Sequence, residues 1–95
     1  MKKIETNVGV DIALRSVDKR DRRMLEGWFD QLRNWDNDPA VRKRSLRLED
    51  LENTYLLKTK SDFRIFFQIN GDTIAILDIA MKATLDAFRE ASLSD

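Results

Sequence analysis

The stretch SDFRIFFQINGDTIAILDI, residues 61–79, is the most apolar run in a 95-residue chain of which 36% is charged. Within it, FRIFFQI and TIAILDI flank Asn70-Gly71-Asp72. Asn-Gly between two apolar runs is the strongest short-range hairpin signal, because a type I′ turn needs positive φ at both central residues. Taking Asn70 and Gly71 as the loop residues pairs Ile69 with Asp72, Phe67 with Ile74, Ile65 with Ile76 and Arg64 with Leu77. Phe63, Ile65, Phe67, Ile74 and Ile76 then share one face, fit to receive a helix. Arg64, Phe66, Gln68, Thr73, Ala75 and Leu77 share the other. The one positive charge inside the run, Arg64, therefore projects away from the apolar face.

Working outward, YLLKTK (55–60) reads as a short strand and Ser61-Asp62 as a turn. Lys58 and Lys60 are two apart, so on a strand they share a face; if it is the Arg64 face, three cations converge there. After the hairpin, MKATLDAFREASL (81–93) spaces Met81, Leu85 and Phe88 along one side of a closing helix, as core contacts. Toward the start, VGVDIALRSV (8–17) alternates, with Val8, Val10, Ile12 and Leu14 on one face, which predicts a strand. From Asp18 the period changes. Met24, Leu25, Trp28, Phe29, Leu32 and Trp35 recur at three- and four-residue spacings, predicting an amphipathic helix capped by Asp18 or Ser16. Gly27 in its interior costs about 1 kcal/mol against alanine and is expected to permit close packing. Asn37-Asp38-Pro39 ends this helix and opens a short second one at 39–45, with proline at the first helical position and Val41 the main apolar contact. LRLEDLEN reads as an irregular connection anchored by Leu46, Leu48 and Leu51. The sum is an α+β domain spanning 1–95: strand, two helices, a three-strand antiparallel meander and a C-terminal helix, with the helices on one face of a small sheet.

Composition narrows the chemistry. The chain has no cysteine and no histidine, which removes thiolate sites, the usual general base and the commonest metal ligand. No aspartate or glutamate spacing suggests a metal site, and no metal or other cofactor is expected. MKKIETNVGV lacks the apolar stretch of a signal peptide, and no run nears the length of a membrane span, so a cytoplasmic setting is expected. Cations and anions balance at 17 each, which argues against simple coating of nucleic acid but not against local patches. VRKRSLR (41–47) carries Arg42, Lys43, Arg44 and Arg47 with no anion, and LEDLE (48–52) answers with three carboxylates. The plainest reading of such a run is a solvated surface.

The pattern YLLKTK–SDFRIFFQINGDTIAILDI–MKATLDAF resembles the C-terminal half of RelE/ParE-type toxins of bacterial and archaeal toxin–antitoxin pairs. With the N-terminal strand and helices in similar order, the likeness covers about residues 8–90. For a RelE-like member it implies a cognate antitoxin, and entry into the ribosome to cut mRNA. The cut is attack of a ribose 2′-OH on its neighbouring phosphate, which needs a proton acceptor, cations on the phosphate and a proton donor for the leaving oxygen. Carried over by position, Arg64 would clamp phosphate, Lys58 would be the general base, and Lys60 and Lys82 would complete the catalytic cations. Arg42, Lys43, Arg44 and Arg47 would hold the RNA backbone. Phe88 stands near the family's terminal tyrosine; it can stack on a base but has no hydroxyl. ParE-like relatives share the architecture and inhibit DNA gyrase by binding. That alternative stays open, as does an interaction domain whose cations are merely solvated.

Overall fold

The computed structural model describes residues 1–93, with side chains through Ala87. These residues form β1 (Lys3–Glu5), α1 (Val8–Ser16), α2 (Lys19–Arg33), α3 (Pro39–Lys43), β2 (Ser45–Arg47), β3 (Thr54–Lys58), β4 (Phe63–Asn70), β5 (Thr73–Met81) and α4 (Lys82–Leu93). The strands make one sheet in the order β1-β5-β4-β3-β2. β1 runs parallel to β5, and the other neighbours are antiparallel. The fold is α+β with a mixed, antiparallel-rich sheet.

The core lies between the sheet and α1–α3. Leu25, Trp28, Phe29 and Leu32 of α2 are buried, as are Val41 of α3 and Leu57, Ile65, Phe67, Ile74 and Ile76 of the sheet. Phe67 anchors an aromatic cluster: its ring stacks on Tyr55 with centroids 5.3 Å apart, and Trp35 meets it edge-on at 5.6 Å. The spacing of α2 thus does what the sequence predicts, and Asp18 caps it by accepting the Asp21 N–H at 2.8 Å. Asp38 caps α3 ahead of Pro39 in the same way. Gly27 does not serve close packing, since a Cβ there would meet nothing within 4 Å.

Residues 8–16 are helix, not the expected strand. The alternating set splits: Val10 and Leu14, four apart, are buried, while Val8 and Ile12 are 72% and 53% exposed. A spacing of four fits both a strand face and a helix face, so alternation alone does not separate them. Asn7 decides locally, because its Oδ1 accepts the Val10 N–H at 2.8 Å and caps the helix. The strand that precedes the helices is β1 instead. LRLEDLEN also departs from expectation: residues 45–47 pair with β3 as β2, and Leu46 and Leu51 are each 55% exposed rather than anchors.

The hairpin forms two residues away from the expected register. Asn70 pairs with Thr73, so Gly71 and Asp72 are the loop residues. Gly71 has φ +59°, and among the described residues Asn53 is the one non-glycine with positive φ. Positive φ at the first loop position alone is the type II′ pattern, which favours glycine there. A two-residue shift preserves faces, so the core side holds. Farther along, a bulge opposite Phe66 and Phe67 inserts Leu77, so that Phe67 pairs with Ile76 but Phe66 with Asp78. Arg64 consequently pairs with Ala80, not Leu77. Beyond the bulge the parity of β5 is reversed: Ile79 joins the core side, and Asp78 and Ala80 face the side of Arg64.

Candidate functional site

β3 and β4 place Lys58 and Arg64 directly opposite each other, on the sheet face away from α2. Across the other edge of β4, the reversed parity of β5 directs its end to the same face. The Lys82 N–H donates to the Asp62 carbonyl at 2.7 Å, extending the ladder one residue past Met81. Lys58, Arg64 and Lys82 thereby line one cleft of about 380 Å³, together with Leu46, Leu56, Leu85 and Asp86. Lys58 and Lys82 are exposed, and Arg64 is half-buried. Arg64 Nη1 donates to the carbonyls of Ser61 at 2.8 Å and Phe63 at 2.9 Å, which fixes the guanidinium. Its Nε and Nη2 make no hydrogen bond within the described residues, so a planar donor fork is held in place for an anion. The ion pairs among the described residues are Lys2–Asp36, Arg22–Glu26 and Arg33–Asp30, and none uses a cation of this cleft. Asp86 is the single carboxylate in the lining.

Lys60 does not join them. The strand ends at Lys58, and the next residue, Thr59, turns inward at 4% exposure, where its hydroxyl donates to the Phe63 carbonyl at 2.7 Å. Lys60 then emerges on the helix side, in a second cleft of about 550 Å³ beside α2 and α3. Of the basic run 41–47, Leu46 lines the open-face cleft but none of the four cations does. Lys43 and Arg44 line the helix-side cleft, with Arg23. Arg44 Nε donates to the Lys58 carbonyl at 2.8 Å, and its guanidinium lies 5.4 Å from the centre of the Trp28 ring. Arg42 donates to the Trp35 carbonyl, and Arg47 sits opposite Tyr55 at the exposed edge of the sheet. The side chain of Phe88 lies outside the described residues. Among the described residues no three His, Cys, Asp or Glu side chains gather as a metal site, and no helix is long and apolar enough to cross a membrane.

Sequence reading missed Leu46 and Leu56 as cleft walls, because their pairing depends on β2. Nor does the sequence single out Arg23, whose cleft neighbours Lys43, Arg44 and Lys60 come from elements that the local pattern does not bring together.

This arrangement of sheet and helices matches the fold of solved RelE toxins. Solved structures align with it over most of their length. A chain of the intact E. coli RelBE toxin–antitoxin complex superposes with a TM-score of 0.69 at 12% identity, covering 85% of this chain and 96% of that one. A chain of the RelB–RelE antitoxin–toxin complex from Methanococcus jannaschii gives 0.68 at 15% identity, over 88% and 96%. The archaeal RelE–RelB complex from Pyrococcus horikoshii OT3 gives 0.65 at 22% identity, over 85% and 94%. No family model matches the sequence, and no curated protein matches it.

Proposed function

We propose that the chain is the toxin of a toxin–antitoxin pair and inhibits translation by ribosome-dependent cleavage of mRNA. The observation that carries this reading is the meeting of Lys58, Arg64 and Lys82 in one cleft, none of them neutralised by an ion pair among the described residues, within a RelE-type fold. Arg64 grips the scissile phosphate through its free N–H groups, and Lys82 adds charge to the phosphate as negative charge builds in the transition state. The Lys58 amine, across the strand from Arg64, takes the proton of the attacking 2′-OH as that oxygen bonds to phosphorus; the P–O5′ bond breaks, the 5′-oxygen leaves with a proton from solvent, and Lys58 returns its own proton to solvent. No metal or organic cofactor enters this chemistry. An antitoxin partner is part of the proposal, supported by the RelB-bound state of the similar structures. The setting is the cytoplasm, where ribosomes and mRNA meet the protein.

Induced expression with primer extension on a test mRNA checks the proposal. Wild type should arrest growth and yield ribosome-dependent cuts, and Arg64→Ala should lower cutting by about 10²–10³-fold. Lys58→Arg puts a permanent cation where the proton acceptor stood, so it should bind RNA and cut poorly. Uncut mRNA in arrested wild-type cells, or Arg64→Ala cutting as wild type does, refutes the nuclease reading. Arrest with intact mRNA and blocked replication would point to the ParE-like mode, which the separation of Lys60 and of the cations of the basic run from the cleft favours as the second reading.

A further inference from the structure

We propose that the helix-side cleft binds an acidic peptide segment of a partner protein, with one apolar side chain of that segment seated over Gly27. Arg23, Lys43, Arg44 and Lys60 surround the cleft, and no carboxylate is among its lining residues. None of the four takes part in an ion pair within the described residues. In a chain of zero net charge, four like charges round one hollow repel one another, and an anionic ligand relieves that repulsion. Beneath the cationic rim the floor is apolar, built from Met24, Trp28 and Ala40.

Gly27 opens the floor. It lies inside α2, where glycine costs about 1 kcal/mol relative to alanine. A Cβ at this position would meet nothing within 4 Å, and the backbone there is not left-handed. Neither packing nor conformation within the chain calls for glycine, so the space above it is what a ligand side chain can fill. A peptide fits this shape better than a single-stranded nucleic acid. Nucleic acids are gripped by exposed rings on which bases stack. Trp28 is only 7% exposed and Arg44 already lies over its ring, so the cleft has no stacking platform. Carboxylates flanking an apolar residue match a cationic rim round an apolar floor. The inference is independent of the nuclease reading, because the two clefts occupy opposite faces of the sheet and share no lining residue.

Fluorescence anisotropy on the full-length protein tests it, using a short labelled peptide of aspartate and glutamate with one central leucine. Saturable binding is expected, weakening with added salt. Three changes should each weaken it by about tenfold or more, the equivalent of about 1.4 kcal/mol. They are Gly27→Leu, which fills the floor; Lys43→Glu combined with Lys60→Glu, both at the surface and outside α2; and serine for leucine in the peptide. Circular dichroism confirms that the variants stay folded, and the lysine pair reads the same site should Gly27→Leu not fold. Non-saturable binding, or retention of wild-type affinity in the double lysine variant, overturns the proposal. So does an RNA oligonucleotide that displaces the peptide and loses its own binding with the same lysine pair, which would assign the cleft to nucleic acid.

Discussion

Asn7 is the polar side chain whose removal should disturb the fold most for its size. Its Oδ1 accepts the Val10 N–H at 2.8 Å, capping α1. Its Nδ2 donates to the Leu77 carbonyl at 3.2 Å, with a weaker contact to Ile76 at 3.4 Å. Those carbonyls belong to the bulge, where an inserted residue interrupts the ladder and leaves backbone groups in need of partners. Losing an N-cap costs typically about 1 kcal/mol, and losing one hydrogen bond costs about 0.5–1.5 kcal/mol. Asn7→Ala should therefore destabilise by roughly 1.5–2.5 kcal/mol, a fall in Tm on the order of 10 °C for a domain of this size. Asn7→Asp separates the two terms: it keeps the cap acceptor, which the helix dipole favours, and loses the donor to the bulge. Its loss should be about half that of alanine. Urea titration with matched m-values measures both, and amide exchange in β5 beyond the bulge should quicken in each variant. A cost below about 0.5 kcal/mol for Asn7→Ala would refute the reasoning, and Asn7→Asp as damaging as Asn7→Ala would refute its division into two terms.

Phe67→Ala removes the ring at the centre of the Trp35–Tyr55 cluster from a site with 0% exposure, and should cost about 3–5 kcal/mol. Against a typical domain stability of about 5–15 kcal/mol, that is a large share, which chemical denaturation should show as a much lower midpoint, and a cost near 1 kcal/mol would show the cluster to be loosely packed. Gly27→Ala and Gly9→Ala make a contrasting pair, each gaining up to about 1 kcal/mol from helix propensity alone. A Cβ at Gly27 meets nothing, whereas one at Gly9 comes within 3.3 Å of the Asn7 cap oxygen. Thermal melts should show the gain at Gly27 and little or none at Gly9; equal gains would contradict the crowding at Gly9.

The parts of the fold that were legible in sequence are those where one period excludes the other. In α2, large apolar residues at steps of three and four cannot share a strand face, and Asp18 and Asp38-Pro39 mark helix starts through local chemistry. The 8–16 segment fails that test, since Val10 and Leu14 satisfy both patterns and the deciding contacts come from Asn7 and the sheet beneath. β1 and β2 are three residues each, too short for any period; they exist because β5 and β3 offer open edges to pair with. The sequence leaves open whether Lys58 and Lys60 share the face of Arg64; the direct pairing of β3 with β4 brings Lys58 there. Lys60 leaves that face, because the strand ends before Thr59, whose hydroxyl bonds the Phe63 carbonyl.

Lys82 reaches the cleft by a route that the sequence pattern does not contain. The unbulged hairpin of the sequence reading would set residue 82 at even parity with Ile74 and Ile76, on the core side of β5. The single residue inserted at Leu77 reverses that parity, so the strand leaves the sheet with Ala80 opposite Arg64 and Lys82 in the cleft. Nothing in TIAILDIAMK announces a bulge, because Leu77 is as good a strand residue as its neighbours. What holds the bulge is Asn7, seventy residues away in the chain, whose amide reaches the Leu77 carbonyl. The third cation of the candidate site thus depends on a residue that also starts α1. The segment most strongly misread in sequence and the site residue least securely placed are linked by one side chain.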